Sequence, residues 1–303
     1  MPMALAYLIL AHRQPALVAR LFAALDHPED TFVLHFDRRA PAELHQLGRE
    51  LAKSRPYVLV LPPRAIVWGG PAMAEVQIEA MTAARAHRSN WSHFINLTGQ
   101  DFPLASRREI LGQLKPETTY LSWFDPLEDG RWNDARQRLA RRFLPWLWLQ
   151  RVLAWPGVGH RVRRLLGWSN RLPSVPGYRR RWPDFFCYFG GPNHGIFSRD
   201  AAAYLAEAPR AQRIRRWLLG AAHSDEIVFQ SVLLNSPLAP SIVNDSRREI
   251  DFPRNAPHPR TFCTADLPRL TASPALFARK FDLAVDAAVV TALEARLVPA
   301  PLP

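Results

Sequence analysis

From Leu5 to Trp123 the sequence repeats one pattern, a short apolar run followed by an amphipathic stretch. That alternation is what βα units around a mostly parallel sheet require. Leu5–Leu10, Phe32–Phe36, Tyr57–Val60, His93–Leu97 and Thr119–Trp123 read as strands. Pro15–Leu25, Ala40–Ser54 and Ala72–His87 carry apolar residues at helical spacing. Open sheets of this kind bind ligands at the carboxyl ends of their strands, so the residues just past each run are the first candidates for a site.

The rest of the 303-residue chain extends the same domain or adds a small second one, and 48% hydrophobic residues supplies a sizeable core. Wholesale disorder is excluded. Lys and Arg number 39 against 27 Asp and Glu, a net charge of +12, so the surface attracts phosphates, nucleic acids or anionic headgroups. Two cysteines, Cys187 and Cys263, are too few for a disulfide framework; they fit a reducing compartment and read as buried thiols. The apolar start at Met1–Ala11 lacks a basic leader and reads as a first strand, and no stretch is long enough to span a bilayer.

Three regions follow from these shifts: residues 1–125, a half suited to a nucleotide; residues 126–250, a second half with an Arg- and Trp-rich insertion at about 140–182; and a loop-rich tail, 251–303. In the second region Asp184–Phe197 reads as strand-like around Gly190-Gly191-Pro192, with helices at Arg199–Ala206 and Asp225–Leu233. A final helix is expected near Val285–Leu297.

The candidates for chemistry lie at the joints. Asp37 closes the second strand, where it serves either as a turn former or as an acceptor for a base or ribose hydroxyl. Trp68-Gly69-Gly70 allows close backbone approach under an indole, or is a plain tight turn. Asn96-Leu-Thr98-Gly99-Gln100-Asp101 gathers polar groups at the ligand edge of a buried strand. Asn193-His194 precedes a Gly-rich strand start, with His194 either a base or a hydrogen-bonded structural histidine. Asp225-Glu226 enters an apolar helix, as caps or as a general base raised by its apolar wall. In the tail, His258-Pro-Arg260 and Ala278-Arg279-Lys280 read as loops able to clamp phosphate. No Asp-x-Asp pair follows a strand, so the usual means of holding a divalent cation on a diphosphate is missing and something else must neutralise one, which gives these basic residues weight.

These blocks, in order, resemble the core-2/I-branching β-1,6-N-acetylglucosaminyltransferase family, which also contains the peptide O-xylosyltransferases. The matching stretches are Ala6–His12, Leu34–Arg38, Val67–Gly70, Ile95–Pro103, Gly191–Asp200, Asp225-Glu226, Asn235–Pro237 and Leu276–Asp282. The resemblance implies an α/β, GT-A-like glycosyltransferase fold in a single domain with a helical insertion. It implies inverting, metal-independent transfer from a UDP-sugar, GlcNAc first and xylose next, to a hydroxyl of a glycan, lipid-linked glycan or protein. On it Glu226 is the general base, and Arg260 and Lys280 stand in for a metal at the diphosphate. Asp37, with His12, Trp68 and Gly69, holds the nucleoside, while Gln100, Asp101, Asn193, His194 and Asp225 line the donor–acceptor junction. No cofactor is expected. Relatives often carry an aromatic residue where His194 stands.

The middle has no match in that family. Its Trp146, Trp148, Arg151, Trp155, Arg161, Arg163, Arg164 and Trp168 mix indoles and guanidiniums at helical spacing, as a basic helix packed on the core or as a peripheral contact with anionic membrane. A cytoplasmic, bacterial-type relative is expected, at the inner face of the membrane if that contact exists. Two competing classes are a basic protein binding nucleic acid or acidic polysaccharide without catalysis, and a catalytically dead glycan-binding homologue.

Overall fold

The computed structural model describes residues 4–67, 69–132, 135–140, 142–143, 180–181, 183–253 and 258–297. Strand β1 (Ala4–Ala11) lies at the centre of the main sheet and sends alternate side chains to opposite faces. Leu5, Tyr7 and Ile9 enter one apolar cluster and Ala6, Leu8 and Leu10 the other. Burial on both faces is why the sequence here is apolar without alternation.

Helix α1 (Pro15–Leu25), β2 (Thr31–Phe36), α2 (Ala42–Ser54), β3 (Val58–Val60), α3 (Ala72–His87) and β4 (Trp91–Thr98) complete the first half. Beyond it come β5 (Asp101–Pro103), α4 (Arg107–Gln113), β6 (Thr119–Leu121), α5 (Ala135–Ala140), β7 (Gly195–Ser198), α6 (Arg199–Glu207), α7 (Pro209–Leu218) and α8 (Val228–Leu234). The main sheet runs β3-β2-β1-β4-β7-β6-β8, where β8 is Ile242–Val243. Within it only β7 runs against the other strands, so the sheet is mostly parallel and the expected α/β class holds.

The tail, read from sequence as loop-rich with a final helix, also contributes the middle strand of a second sheet. Strand β10 (Phe277–Arg279) sits between β5 and β9 (Arg248–Ile250); α9 (Leu267–Ala272) precedes it in the chain and α10 (Ala288–Leu297) follows it. Arg279 therefore stands on a strand opposite Asp101, not on a loop. Its short run of residues hides that strand from periodicity, which needs more positions to register.

Other expectations are corrected as well. Asp184–Phe197 forms a strand only from Gly195. The segment before it is coil, with one bridge between Phe124 and Gly190. Gly191 is required there, because a Cβ would lie 2.2 Å from the Ser122 carbonyl oxygen. Asp225 and Glu226 occupy a separate 3-10 turn, Ser224–Glu226, and the following helix starts only at Val228. Cys187 is exposed and Cys263 partly so; both are free thiols and neither is buried. Trp68 and the Trp- and Arg-rich residues 144–179 lie outside the described residues. No helix among the described residues is long and apolar enough to cross a membrane.

Candidate active site

The carboxyl ends of β1, β2 and β4 converge on one edge, as the βα pattern demands. Gly99 turns β4 into β5 so closely against β1 and α1 that a Cβ would sit 2.8 Å from both Ala11 and Val18. Its amide donates to the Leu10 carbonyl at 2.8 Å. Gln100 then ties the turn to the tail, its amide group donating to the Phe281 carbonyl at 3.2 Å while the Phe281 amide donates back to Gln100. Lys280 is thereby carried to the end of β1.

There it joins His12, Arg13 and Asp282. Burial, then Arg13 and Arg279, push the Lys280 ammonium below its ordinary value, with Asp282 opposing. Burial and Arg13 likewise lower His12, with smaller contributions from Arg39 and Lys280, so this imidazole is neutral at pH 7. Asp37 lies close enough to oppose that lowering, but its own lone pairs are occupied. One oxygen accepts from the Arg39 amide (2.8 Å) and Nε (2.9 Å), the other from Arg39 Nη2 (2.8 Å) and the Ile66 amide (2.8 Å). Burial works against the charge, yet these bonds hold the carboxyl well below the usual carboxylate range. As built, Asp37 is an anchor for the loop 64–67 and has no acceptor left for a ribose hydroxyl.

Next to Lys280, Arg279 reaches Asp101 and His194. Its Nη1 donates to His194 Nε2, and its Nε lies 3.5 Å from Asp101 Oδ1. His194 is buried, and burial together with Arg279 and Arg248 holds it well below the ordinary histidine value. A neutral ring accepting from a guanidinium is the hydrogen-bonded histidine of the two alternatives, not a free base.

The neighbouring Asn193 leads to the acids. Its Nδ2 donates to Asp225 Oδ2 at 2.9 Å, and burial pushes the Asp225 carboxyl up to about 6 against that bond and the field of Arg138. Glu226 Oε2 receives Arg138 Nη1 at 3.0 Å. The acid turn is entered through His223 at φ 52°, a left-handed conformation that costs a non-glycine residue free energy, and its amide is held by the Gly69 carbonyl at 2.8 Å. Gly69 thus braces the acid turn, whereas the sequence placed it with the nucleoside.

Asn96 connects the parts. Its Oδ1 accepts from the Gly195 amide at 2.7 Å, and its Nδ2 donates to Gln77 Oε1 at 2.6 Å and to the Asn193 carbonyl. Its own carbonyl accepts from Arg248 at 2.6 Å. Hydrogen bonds between Arg279 and His194 and between Asn193 and Asp225 therefore join the chain neighbours Arg279-Lys280, Asn193-His194 and Asp225-Glu226 into one group, with His12 near enough to Lys280 to feel its charge. Arg138 and Arg248 are members that sequence reasoning did not select; Asn96 and Arg279 stood in the candidate stretches Asn96–Asp101 and Ala278–Lys280 without a role of their own.

Arg260 is tied up within the tail. Its Nε donates to Asp251 Oδ2 at 3.0 Å, and its Nη1 and Nη2 to the two oxygens of Asp266 at 2.9 and 2.7 Å. Two carboxylates thus hold this guanidinium. Among the described residues no group of three or more His, Cys, Asp or Glu could hold a metal ion.

A mostly parallel sheet whose strand ends gather an acid turn opposite a bank of cations defines an α/β protein of the GT-A-like class. The chain belongs to the Core-2/I-Branching enzyme family, whose model matches residues 5–271. Among curated relatives, xylosyltransferase 2 of Canis lupus familiaris is 25% identical, the match covering 98% of this chain and 34% of that protein. Beta-1,3-galactosyl-O-glycosyl-glycoprotein beta-1,6-N-acetylglucosaminyltransferase 4 of Danio rerio is 21% identical over 97% of this chain and 69% of its own. The chain thus spans about a third of the length of the xylosyltransferase it matches. The solved galactosyltransferase LgtC, in complex with donor and acceptor sugar analogs, overlaps 97% of each chain at 10% identity and a TM-score of 0.39, a likeness too loose to carry an argument.

Proposed function

We propose that the chain is an inverting, metal-independent glycosyltransferase moving a sugar, GlcNAc first and xylose next, from a UDP-sugar to a hydroxyl of a glycan or glycoconjugate. The observation that carries this is that the Asp225-Glu226 turn and Lys280 belong to one group joined through Asn193, His194 and Arg279.

In the reaction Glu226 takes the proton of the acceptor hydroxyl. The oxygen attacks the anomeric carbon from the face opposite the diphosphate, the bond from that carbon to the diphosphate oxygen breaks, and UDP leaves with the electron pair. One in-line displacement inverts the anomeric centre. Lys280, with Arg279 beside it, stabilises the charge that grows on the leaving oxygen, which favours the transition state over the bound ground state. A general base of this kind contributes about 10²–10⁴-fold. Family membership and the names of the relatives support the donor and acceptor classes.

A second assignment of the base has its own support: the Asp225 carboxyl, pushed up to about 6, is poised nearer neutral pH than an ordinary aspartate. Glycosyl transfer from a panel of UDP-sugars, followed by release of UDP with and without a chelator, tests the proposal. No UDP release with any donor, or a strict requirement for Mn²⁺, would count against it.

A further inference from the structure

We propose that Arg248 and Arg279 form an anion subsite beside His194 that takes an oxyanion of the donor, a phosphate or a carboxylate. The proposal rests on the reading that the donor is a nucleotide sugar.

Arg248 on β9 is registered with Phe277 on β10, two residues before Arg279, so both arginines project from the same face of the small sheet. The Arg248 guanidinium lies 4.5 Å from the centre of the Phe277 ring, and its Nη2 donates to the Asn96 carbonyl. Its Nε and Nη1 are closed off from solvent and have no protein acceptor, and the same holds for Arg279 Nε. The one carboxylate nearby, Asp101, already accepts from the Thr98 amide and from Thr98 Oγ1, both at 2.9 Å. His194 is neutral. Two guanidiniums thus face one engaged carboxylate, leaving a positive charge and three nitrogens without hydrogen bonds.

Such donors are costly to enclose unless an acceptor reaches them, and charged ones most of all. Burial pushes Arg248 down to about 10, with Asp101 opposing and Arg279 adding to the shift, and it remains charged at neutral pH. Phe277 and Asn96 engage one face and one nitrogen of this guanidinium and leave its Nε and Nη1 without an acceptor. A ligand oxyanion supplies the acceptor that these nitrogens lack. Its source is either the donor diphosphate, extending the reach of Lys280, or the carboxylate of a uronyl sugar.

Calorimetry on the whole chain separates these sources, using inorganic pyrophosphate, UDP, UDP-GlcNAc and UDP-glucuronate with the native protein, Arg248→Gln and Arg248→Lys. If the diphosphate is the ligand, Arg248→Gln weakens all four probes by roughly tenfold to a hundredfold, and Arg248→Lys by less. If the carboxylate is the ligand, only UDP-glucuronate weakens. Equal binding of every probe by the native protein and Arg248→Gln overturns the subsite. Native protein that binds pyrophosphate but not UDP supports the subsite and removes the nucleotide-sugar reading. Should Arg248→Gln fail to fold, the Arg248 Nε–H resonance of the native protein carries the test. It shifts on adding pyrophosphate or UDP-glucuronate if the subsite exists, and an unmoved resonance overturns it.

Discussion

Arg138 Nη1 lies 3.0 Å from Glu226 Oε2, and the arginine that makes this pair comes from α5, in the middle region that has no match in the family resemblance. Its guanidinium sits 4.3 Å from the centre of the Trp132 ring, and Trp132 in turn packs edge-on against Phe124 at 5.0 Å between ring centres. A region with no legible motif therefore supplies the cation that fixes the direction of the proposed base.

Arg138→Gln should lower the rate of transfer by about tenfold to a hundredfold while leaving UDP affinity near that of the native protein, because the residue contacts the acid turn and not Lys280. Arg138→Lys should recover part of the loss. The kcat and KM of both variants, with UDP binding measured separately, check this; a loss confined to UDP affinity would contradict it.

Asp225 gives a stability prediction with a definite sign. Its folded pKa, about 6, lies above the ordinary 3.8. The folded state therefore binds more protons between those values, and stability falls as pH rises from about 4 to about 6. Asp225→Asn should remove that part of the pH dependence and stabilise the protein at pH 7, by up to about 2 kcal/mol. Urea denaturation at pH 4.5 and pH 7 measures it. A variant that loses stability at pH 7 by as much as at pH 4.5 would show that burial does not disfavour this carboxylate.

Asn96→Ala should cost about 2–4 kcal/mol, since it leaves the buried Gly195 amide without its acceptor and the Asn193 carbonyl without its donor. Thermal and urea denaturation read the stability, and the same protein should show slower transfer as Asn193 loosens its hold on Asp225.

Arg260→Ala should leave UDP affinity within about twofold of native, since its charge is spent on Asp251 and Asp266. Lys280→Ala should weaken UDP far more. Parallel titrations of the two variants compare them directly; an Arg260 variant as impaired as the Lys280 variant would restore the sequence-based pairing.

The contrast between Arg260 and Arg279 marks what a single sequence discloses. The βα frame was legible because each strand and helix spans enough residues for its period to register, and Pro15–Leu25 and Ala72–His87 were read to the residue. The acid turn was visible as two adjacent carboxylates before an apolar run. Arg279 was read only as part of a phosphate-clamping loop, because its particular role comes from Asp101 and His194, far away in sequence and joined to it only by a three-residue strand. Arg248 is hidden in the same way by its contact with Asn96. For Arg260 a local signal did exist: Asp251 and Asp266 flank it closely, and carboxylates at that range compete with any ligand for a guanidinium. Asp37 carried a comparable clue in Arg39, two residues on, whose side chain folds back onto it.

The central claim is that a carboxylate on the Ser224–Glu226 turn takes the acceptor proton while cations from the tail hold the departing diphosphate. The most direct measurement is sugar transfer and UDP binding by Glu226→Gln, side by side with Asp225→Asn. Loss of transfer by about 10²-fold or more in Glu226→Gln, with UDP bound as tightly as by the native protein, is the predicted result. Near-native turnover in both variants would contradict it and place the proton acceptor elsewhere.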